Sequence, residues 1–172
     1  MTITEKGTLF TQNLPKWNAS GSTIVDGQIE IREEDGNNYM TVAPVSGEFK
    51  DKFRLRSADF TGEKAVAISF DIRLGTGDDI QLLVMDGTTT MGSIRFNPAG
   101  RLEILGQAWG LGSGWYTPFE EMRGCFTYGT WHHITLIMEQ KEEKGQDAAA
   151  IYVDDTQVYS SSGLQFVSDN TL

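Results

Sequence analysis

The chain has 172 residues, 39% of them hydrophobic and 22% charged, a balance typical of one folded domain with its own core. Its formal net charge is −10, and because such a surface repels phosphate backbones and acidic headgroups, we expect neither nucleic acid nor membrane as a partner. The one cysteine, Cys125, excludes an internal disulfide framework. No apolar run has the length of a membrane span, and the opening MTITEKGTLF carries no signal-peptide core.

The first half of the chain predicts strands, because apolar and polar residues alternate with period two. Residues 25–33 (VDGQIEIRE) and 52–57 (KFRLRS) show the pattern, and residues 65–74 (AVAISFDIRL) show it most clearly. The last segment presents a row of large apolar side chains to the core, and they are Val66, Ile68, Phe70, Ile72 and Leu74.

The second half continues the pattern, with turn-forming residues between the segments. NPAG predicts a hairpin between two strands, 118–124 (PFEEMRG) predicts one short helical turn, and 139–150 (EQKEEKGQDAAA) predicts a polar loop. The remaining predicted strands are DIQLLVMD (79–86), GSIRFN (92–97), RLEIL (101–105), WHHITLIME (131–139) and AAIYVDD (149–155). Many strands and almost no helix indicate an all-β fold, a jelly-roll β-sandwich of two antiparallel sheets. We expect a single β-sandwich domain over residues 1–172. Such a domain could stand alone or be one part of a longer multidomain protein.

The stretch GQAWGLGSGWYTPF (106–119) places large rings among glycines. Because glycine frees the backbone, we expect the loop to present Trp109, Trp115 and Tyr116 as a stacking platform for the apolar faces of sugar rings. Gln107 and Glu120 lie close by in sequence and would bind sugar hydroxyls. The alternative is that these rings plug one end of the sandwich, since tryptophans are mostly buried even in loops.

The two histidines are adjacent, so a strand points them to opposite faces. His132 shares its face with Ile134 and is expected to be a hydrogen-bonded core residue. His133 lies on the other face with Thr135, where a general base on a sugar-binding face is conceivable. Trp131 opens the strand and is assigned to the core.

Two late segments, GTWHHITLIMEQ and AAAIYVDDTQVYS, resemble the hairpin of laminin-G-like and pentraxin-like domains in the concanavalin A-like lectin/glucanase superfamily. The earlier DGQIEIREEDGNNYMTV, SFDIRL and GSIRFNPAGRLEIL follow in the order of jelly-roll modules from bacterial polysaccharide-degrading proteins. The resemblance covers roughly residues 8–166 and implies a LamG-like jelly roll.

The function implied by this resemblance is recognition of a polysaccharide or oligosaccharide without catalysis, by a secreted, lectin-like carbohydrate-binding module of a bacterial glycan-degrading or surface protein. Such a module is extracellular or at the cell surface, and other domains of the same polypeptide are further candidate partners. Fold alone does not choose among functions. One alternative is a polysaccharide lyase or glycoside hydrolase acting from a sheet face, and another is a structural or adhesion sandwich without a sugar site.

The motifs of the catalytic relatives are incomplete in this chain. Related glycoside hydrolases carry Glu-x-Asp-x-x-Glu on a strand, whereas EIREED has Arg32 at the aspartate position. Related lyases show Gln-x-His and Tyr-x-Lys, which are absent here, although Arg73, Arg95 and Gln81 could line one sheet face. We therefore assign no catalytic residue.

Jelly-roll modules often carry one structural calcium, an ion that takes oxygen ligands from loops. The candidate ligands lie in two loops of this chain, at Asp35 and Asn37 and at Asp78 and Asp79. None follows the EF-hand spacing, and the sequence leaves open whether an ion is bound.

Overall fold

The structure is a computed structural model that describes residues 2–4, 18–19, 29–42, 55–56, 65–77, 79–86 and 88–166. The chain divides into two compact units. The first comprises residues 1–60 and 70–72, and the second comprises residues 61–69 and 73–172.

The first unit contains five described strands in two small sheets. Strand β4 lies between β1 and β3, and β2 pairs with β5. The strands are β1 (Thr2–Thr4), β2 (Asn18–Ala19), β3 (Ile29–Glu34), β4 (Asn37–Val42) and β5 (Leu55–Arg56). Strands β3 and β4 form an antiparallel hairpin whose turn residues, Asp35 and Gly36, both have positive φ. That geometry is typical of tight hairpin turns and explains why an Asp-Gly pair occupies this turn.

The second unit holds the longer strands. They are β6 (Ala65–Arg73), β7 (Ile80–Asp86), β8 (Thr89–Asn97), β9 (Arg101–Leu105), β10 (Trp115–Tyr116), β11 (Trp131–Glu139), β12 (Asp147–Val153) and β13 (Thr156–Leu164). Residues 70–72 of β6 group with the first unit. The described residues contain no α-helix, only two 3-10 turns at Gly106–Trp109 and Glu120–Met122. No helix in the described part of the chain is long and apolar enough to cross a membrane.

Two four-stranded sheets make up the second unit, one in the order β13-β12-β11-β6 and the other in the order β10-β9-β8-β7. We call them the β11 sheet and the β8 sheet. The pairs β7–β8, β8–β9, β9–β10, β11–β12 and β12–β13 are all antiparallel. The prediction of an all-β sandwich of two antiparallel sheets is confirmed.

The core of the second unit consists of alternate residues from both sheets. Its fully buried members include Ile94, Phe96, Leu102, Ile104, Ile134, Leu136, Met138 and Ile151. On β6 and just after it the predicted core row holds in part: Ile72 and Leu74 are buried, whereas Val66, Ile68 and Phe70 are only half-buried. The period-two pattern therefore identified the inward face of the strand.

The predicted connections are confirmed in part. NPAG joins β8 to β9, where the Asn97 side chain accepts hydrogen bonds from the backbone of Ala99 and Arg101. The polar loop predicted over 139–150 is shorter: residues 140–146 connect β11 to β12, whereas Glu139 ends β11 and residues 147–150 begin β12. Asp154 and Asp155 form the turn before β13, both with positive φ.

Candidate functional sites

Trp109 is buried, with 0% of its surface exposed, so the expectation that its ring stands at the surface is wrong. The ring packs 5.2 Å from the Tyr159 ring and 6.4 Å from the Phe166 ring. The Gln165 N–H donates to the carbonyl of Trp109 at 3.4 Å, which holds the first 3-10 turn beside the end of β13. For Trp109, the alternative prediction is therefore the correct one: the ring fills the core of the β-sandwich.

Two glycines leave room for neighbouring side chains, Gly106 in this stretch for Tyr116 and Gly92 on β8 for Met138 and Trp109. A Cβ at Gly92 would lie 3.2 Å from Nε1 of Trp109, and a Cβ at Gly106 would overlap the ring of Tyr116. Both backbones therefore lie directly against a side chain. The indole N–H of Trp109 has no hydrogen-bond acceptor among the described residues.

Trp115 and Tyr116 point to opposite sides of β10, since neighbouring strand residues alternate. Tyr116 is opposite the buried Ile104, and Trp115 is opposite the half-buried Leu105 on the outward side. Tyr116 is 38% exposed, and its hydroxyl donates to the carbonyl of Ser113 at 2.7 Å. Only Trp115 of the three predicted rings lies on the outward face of a sheet, so the three do not form one platform.

The other two predicted ligand residues are exposed but lie in the two 3-10 turns. Gln107 lies in the first, and Glu120 lies in the second with its carboxylate 3.3 Å from Arg123. The described contacts of Gln107 and Glu120 do not include Trp115.

The outward face of the β8 sheet around Trp115 carries a cluster of polar side chains from three strands. Arg95 lies at its centre, donating to both carboxylate oxygens of Asp79, at 2.7 and 2.6 Å, and to Glu103 at 3.4 Å. The guanidinium carbon lies 5.5 Å from the centre of the Trp115 ring, within cation–π range. Exposed Gln81 is directly opposite Arg95 on β7. We call this set, with the neighbouring Leu83, the Trp115 face.

Hydrogen bonds hold the Trp115 face rigid. Asn97 donates a hydrogen bond to Glu103 at 2.5 Å, so the Glu103 carboxylate accepts hydrogen bonds from both Asn97 and Arg95. The pKa of the Arg95 guanidinium is raised, chiefly by its hydrogen bond to Asp79; partial burial acts to lower this pKa, and the charges of Asp79 and Glu103 add to the rise. Beside the cluster, the hydroxyl of Ser93 is buried with no partner in the described part of the chain, and Leu83 opposite it is 40% exposed.

The outward face of the β11 sheet carries a second cluster, which was not predicted from the sequence. Trp131 is half-buried there, with the Arg73 guanidinium 4.7 Å from its ring centre, so the assignment of Trp131 to the core is wrong. Alternation along β11 places Trp131, His133 and Thr135 on one side. Thr135 lies 3.4 Å from Nε2 of His133 and 2.7 Å from the hydroxyl of Ser69.

A groove of about 330 Å³ continues this surface along β11, β12 and β13. Its floor is made of small residues, and the exposed Ile137 lies at its side. Tyr152, which is opposite Thr135, donates to Gln157 at 2.9 Å. We call the whole surface the Trp131 face. Its groove-lining members are Ile137, Glu139, Ala148, Ala149, Ala150, Ser160, Ser161 and Ser162.

His132 is hydrogen-bonded on the inward side of β11, as predicted. Its Nδ1 lies 2.6 Å from Asp154, and its Nε2 accepts the backbone N–H of Thr127 at 2.9 Å. The Thr127 hydroxyl is also 3.3 Å from Nε2, so Thr127, His132 and Asp154 are arranged like the nucleophile, base and acid of a catalytic triad. Because the backbone N–H occupies the Nε2 lone pair, the ring cannot take the hydroxyl proton. The arrangement joins the 125–130 segment to the β12–β13 turn.

The predicted calcium ligands do not converge in the described residues. Asp35 is exposed in the β3–β4 turn, and Asn37 begins β4. Asp79 is paired with Arg95, and Asp78 lies outside the described residues. No group of three or more His, Cys, Asp or Glu side chains in the described part of the chain could hold a metal ion.

No family model, no curated protein and no solved structure matches this chain.

Proposed function

We propose that the chain is a non-catalytic carbohydrate-binding module that holds a neutral glycan on the Trp115 face. The observation that carries the proposal is a half-buried tryptophan on an outward sheet face, beside a guanidinium fixed by two carboxylates. A sugar needs an apolar surface for its C–H groups and both donors and acceptors for its hydroxyls. The ring of Trp115 supplies the first, and Arg95, Asp79 and Gln81 supply the second.

The rigidity of the cluster favours binding. Arg95 makes three hydrogen bonds to two carboxylates, so its side chain is already ordered before a ligand arrives. Ordering a long side chain on binding costs about 0.5–1.5 kcal/mol, which a preordered side chain avoids. The cluster carries two carboxylates against one guanidinium, so it favours a neutral glycan over an anionic one.

The catalytic alternative finds less support on the same face. Gln81 and Arg95 are opposite each other, as a lyase would need in order to neutralise a uronate carboxylate. The charge of Arg95 is already balanced by Asp79 and Glu103, which would repel that uronate. A glycosidase needs two carboxyl groups free to act as acid and nucleophile, and here both accept hydrogen bonds from one guanidinium.

The test is binding of the purified domain to a panel of neutral and uronate-containing polysaccharides. We expect binding to neutral members and a loss of at least about tenfold, about 1.4 kcal/mol, in Trp115→Ala. Leu111→Ala removes an exposed apolar side chain from the same segment and is the matched control, which should bind normally.

Tyr116→Ala separates this proposal from the three-ring platform, because it should bind like the wild type here, whereas the platform predicts a loss of binding. If the folded wild type binds no glycan on the panel, the proposed function is refuted. Release of reducing ends or of unsaturated uronates would establish the catalytic alternative instead.

A further inference from the structure

We infer that the Trp131 face is a second saccharide-binding surface, so that one domain holds two glycan segments on opposite sides of the sandwich. This inference rests on the proposed function of the Trp115 face. The two faces share one arrangement, a half-buried tryptophan with an arginine from another strand of the same sheet against its ring, at 4.7 Å for Arg73 and 5.5 Å for Arg95.

The two faces look away from each other. The inward residues of both sheets, such as Ile134 on β11 and Ile94 on β8, form the buried core of the second unit. The alternate positions, Trp131 and Trp115 among them, therefore point outward from opposite sheets. One short saccharide cannot reach both surfaces.

The polar groups of the Trp131 face match a neutral, hydroxyl-rich ligand. Ser69, Thr135, Tyr152 and Gln157 already form hydrogen bonds in two pairs, and the hydroxyl and amide groups among them both donate and accept. His133 is exposed between Trp131 and Thr135 on the same strand. A sugar hydroxyl, which also donates and accepts, fits this set better than a group with a fixed charge.

The groove extends the Trp131 face along β11, so the surface is long enough for several sugar units. The groove is open to solvent and has a volume of about 330 Å³. From Trp131 to Ile137 is six residues along β11, roughly 20 Å at about 3.4 Å per residue. The apolar edge of Ile137 and the small floor residues Ala148 and Ala150 allow a ring to lie flat on the sheet. The face therefore fits an extended oligosaccharide.

The experiment compares stoichiometry across variants of the two faces. Calorimetric titration uses a short neutral oligosaccharide from a polysaccharide that the wild type binds. Ala150→Leu fills the groove, and His133→Ala removes an exposed side chain, a class of change that rarely alters stability by more than about 0.5 kcal/mol. We expect about two ligands per wild-type chain, about one in Trp115→Ala, about one in Ala150→Leu and none in the double variant. His133→Ala should weaken one of the two sites.

A bivalent domain also cross-links long chains, so the wild type should precipitate the soluble polysaccharide and neither single variant should. One ligand per wild-type chain, lost in Trp115→Ala and kept in Ala150→Leu, would refute the second surface and leave the proposed function intact. If the wild-type chain binds one ligand and only Ala150→Leu loses it, the single site lies on the Trp131 face and the proposal of two sites is refuted. No binding by a folded wild type would overturn both proposals.

Discussion

The burial of Trp109 makes a sharp prediction about stability. The ring is fully buried against Tyr159 and Phe166 and lies over Gly92, so Trp109→Ala leaves a cavity that the β-sandwich cannot close. Truncation of a buried tryptophan to alanine costs about 3–5 kcal/mol. For a chain of this length, 1 kcal/mol corresponds to about 2–4 °C in Tm, so the expected loss is about 6–20 °C.

Two further variants make the measurement decisive. Trp109→Phe should lose less stability than Trp109→Ala, because it keeps a ring and removes an indole N–H that has no acceptor among the described residues, a burden of about 1–3 kcal/mol. Trp115→Ala loses a half-buried ring and one cation–π contact, so we expect a cost of about 1 kcal/mol. Thermal unfolding followed by circular dichroism gives all three values. Equal Tm shifts for Trp109→Ala and Trp115→Ala would refute the assignment of one ring to the core and the other to the surface.

The remaining predictions concern a close contact, a carboxylate and a thiol. Gly106→Ala should cost about 1–3 kcal/mol in urea unfolding, because a Cβ there would overlap the Tyr116 ring; a neutral effect would contradict the packing. Partial burial acts to raise the pKa of Asp154, but hydrogen bonds from His132 and the backbone outweigh it and lower that pKa. The unfolding free energy should therefore include a contribution that is complete above about pH 4 and lost as pH falls through the lowered value. Asp154→Asn should lack this acid dependence, and an unchanged pH profile would count against the contact. Burial raises the pKa of the Cys125 thiol to about 11, so an aromatic disulfide reagent at pH 8 should label it slowly in the folded chain and rapidly in urea. Equal rates in both states would show that the thiol is accessible.

The sequence by itself determined the strands and the turns, because both depend on local chemistry. Period-two alternation located β6 to β9, β11 and β12, and it identified the inward side of β6 and of the His132–Ile134 part of β11. The turn residues Asp35, Gly36, Asp154 and Asp155 adopt positive φ, which glycine and aspartate tolerate as single residues, although the sequence pattern places Asp154 and Asp155 in a strand. The same alternation also places Trp131 on the side of His133, so the outward position of that ring could have been predicted from the sequence.

Only the tertiary structure decided where the rings near the glycines lie. Trp109, Trp115 and Tyr116 occupy one short stretch, yet one fills the core, one lies on a sheet face and one packs on Gly106. The stretch lacks the regular alternation that would assign each side chain a face. Their positions are determined by the strands against which the segment packs.

The contacts within the polar clusters could not be predicted from the sequence either. Asp79, Arg95 and Glu103 come from separate segments, and strand pairing between β7, β8 and β9 brings them within hydrogen-bond distance. Pairing register depends on contacts between residues distant in the chain, which the composition of a single strand does not specify. Local patterns therefore determined which side of each strand faces outward, and long-range pairing decided which outward side chains meet.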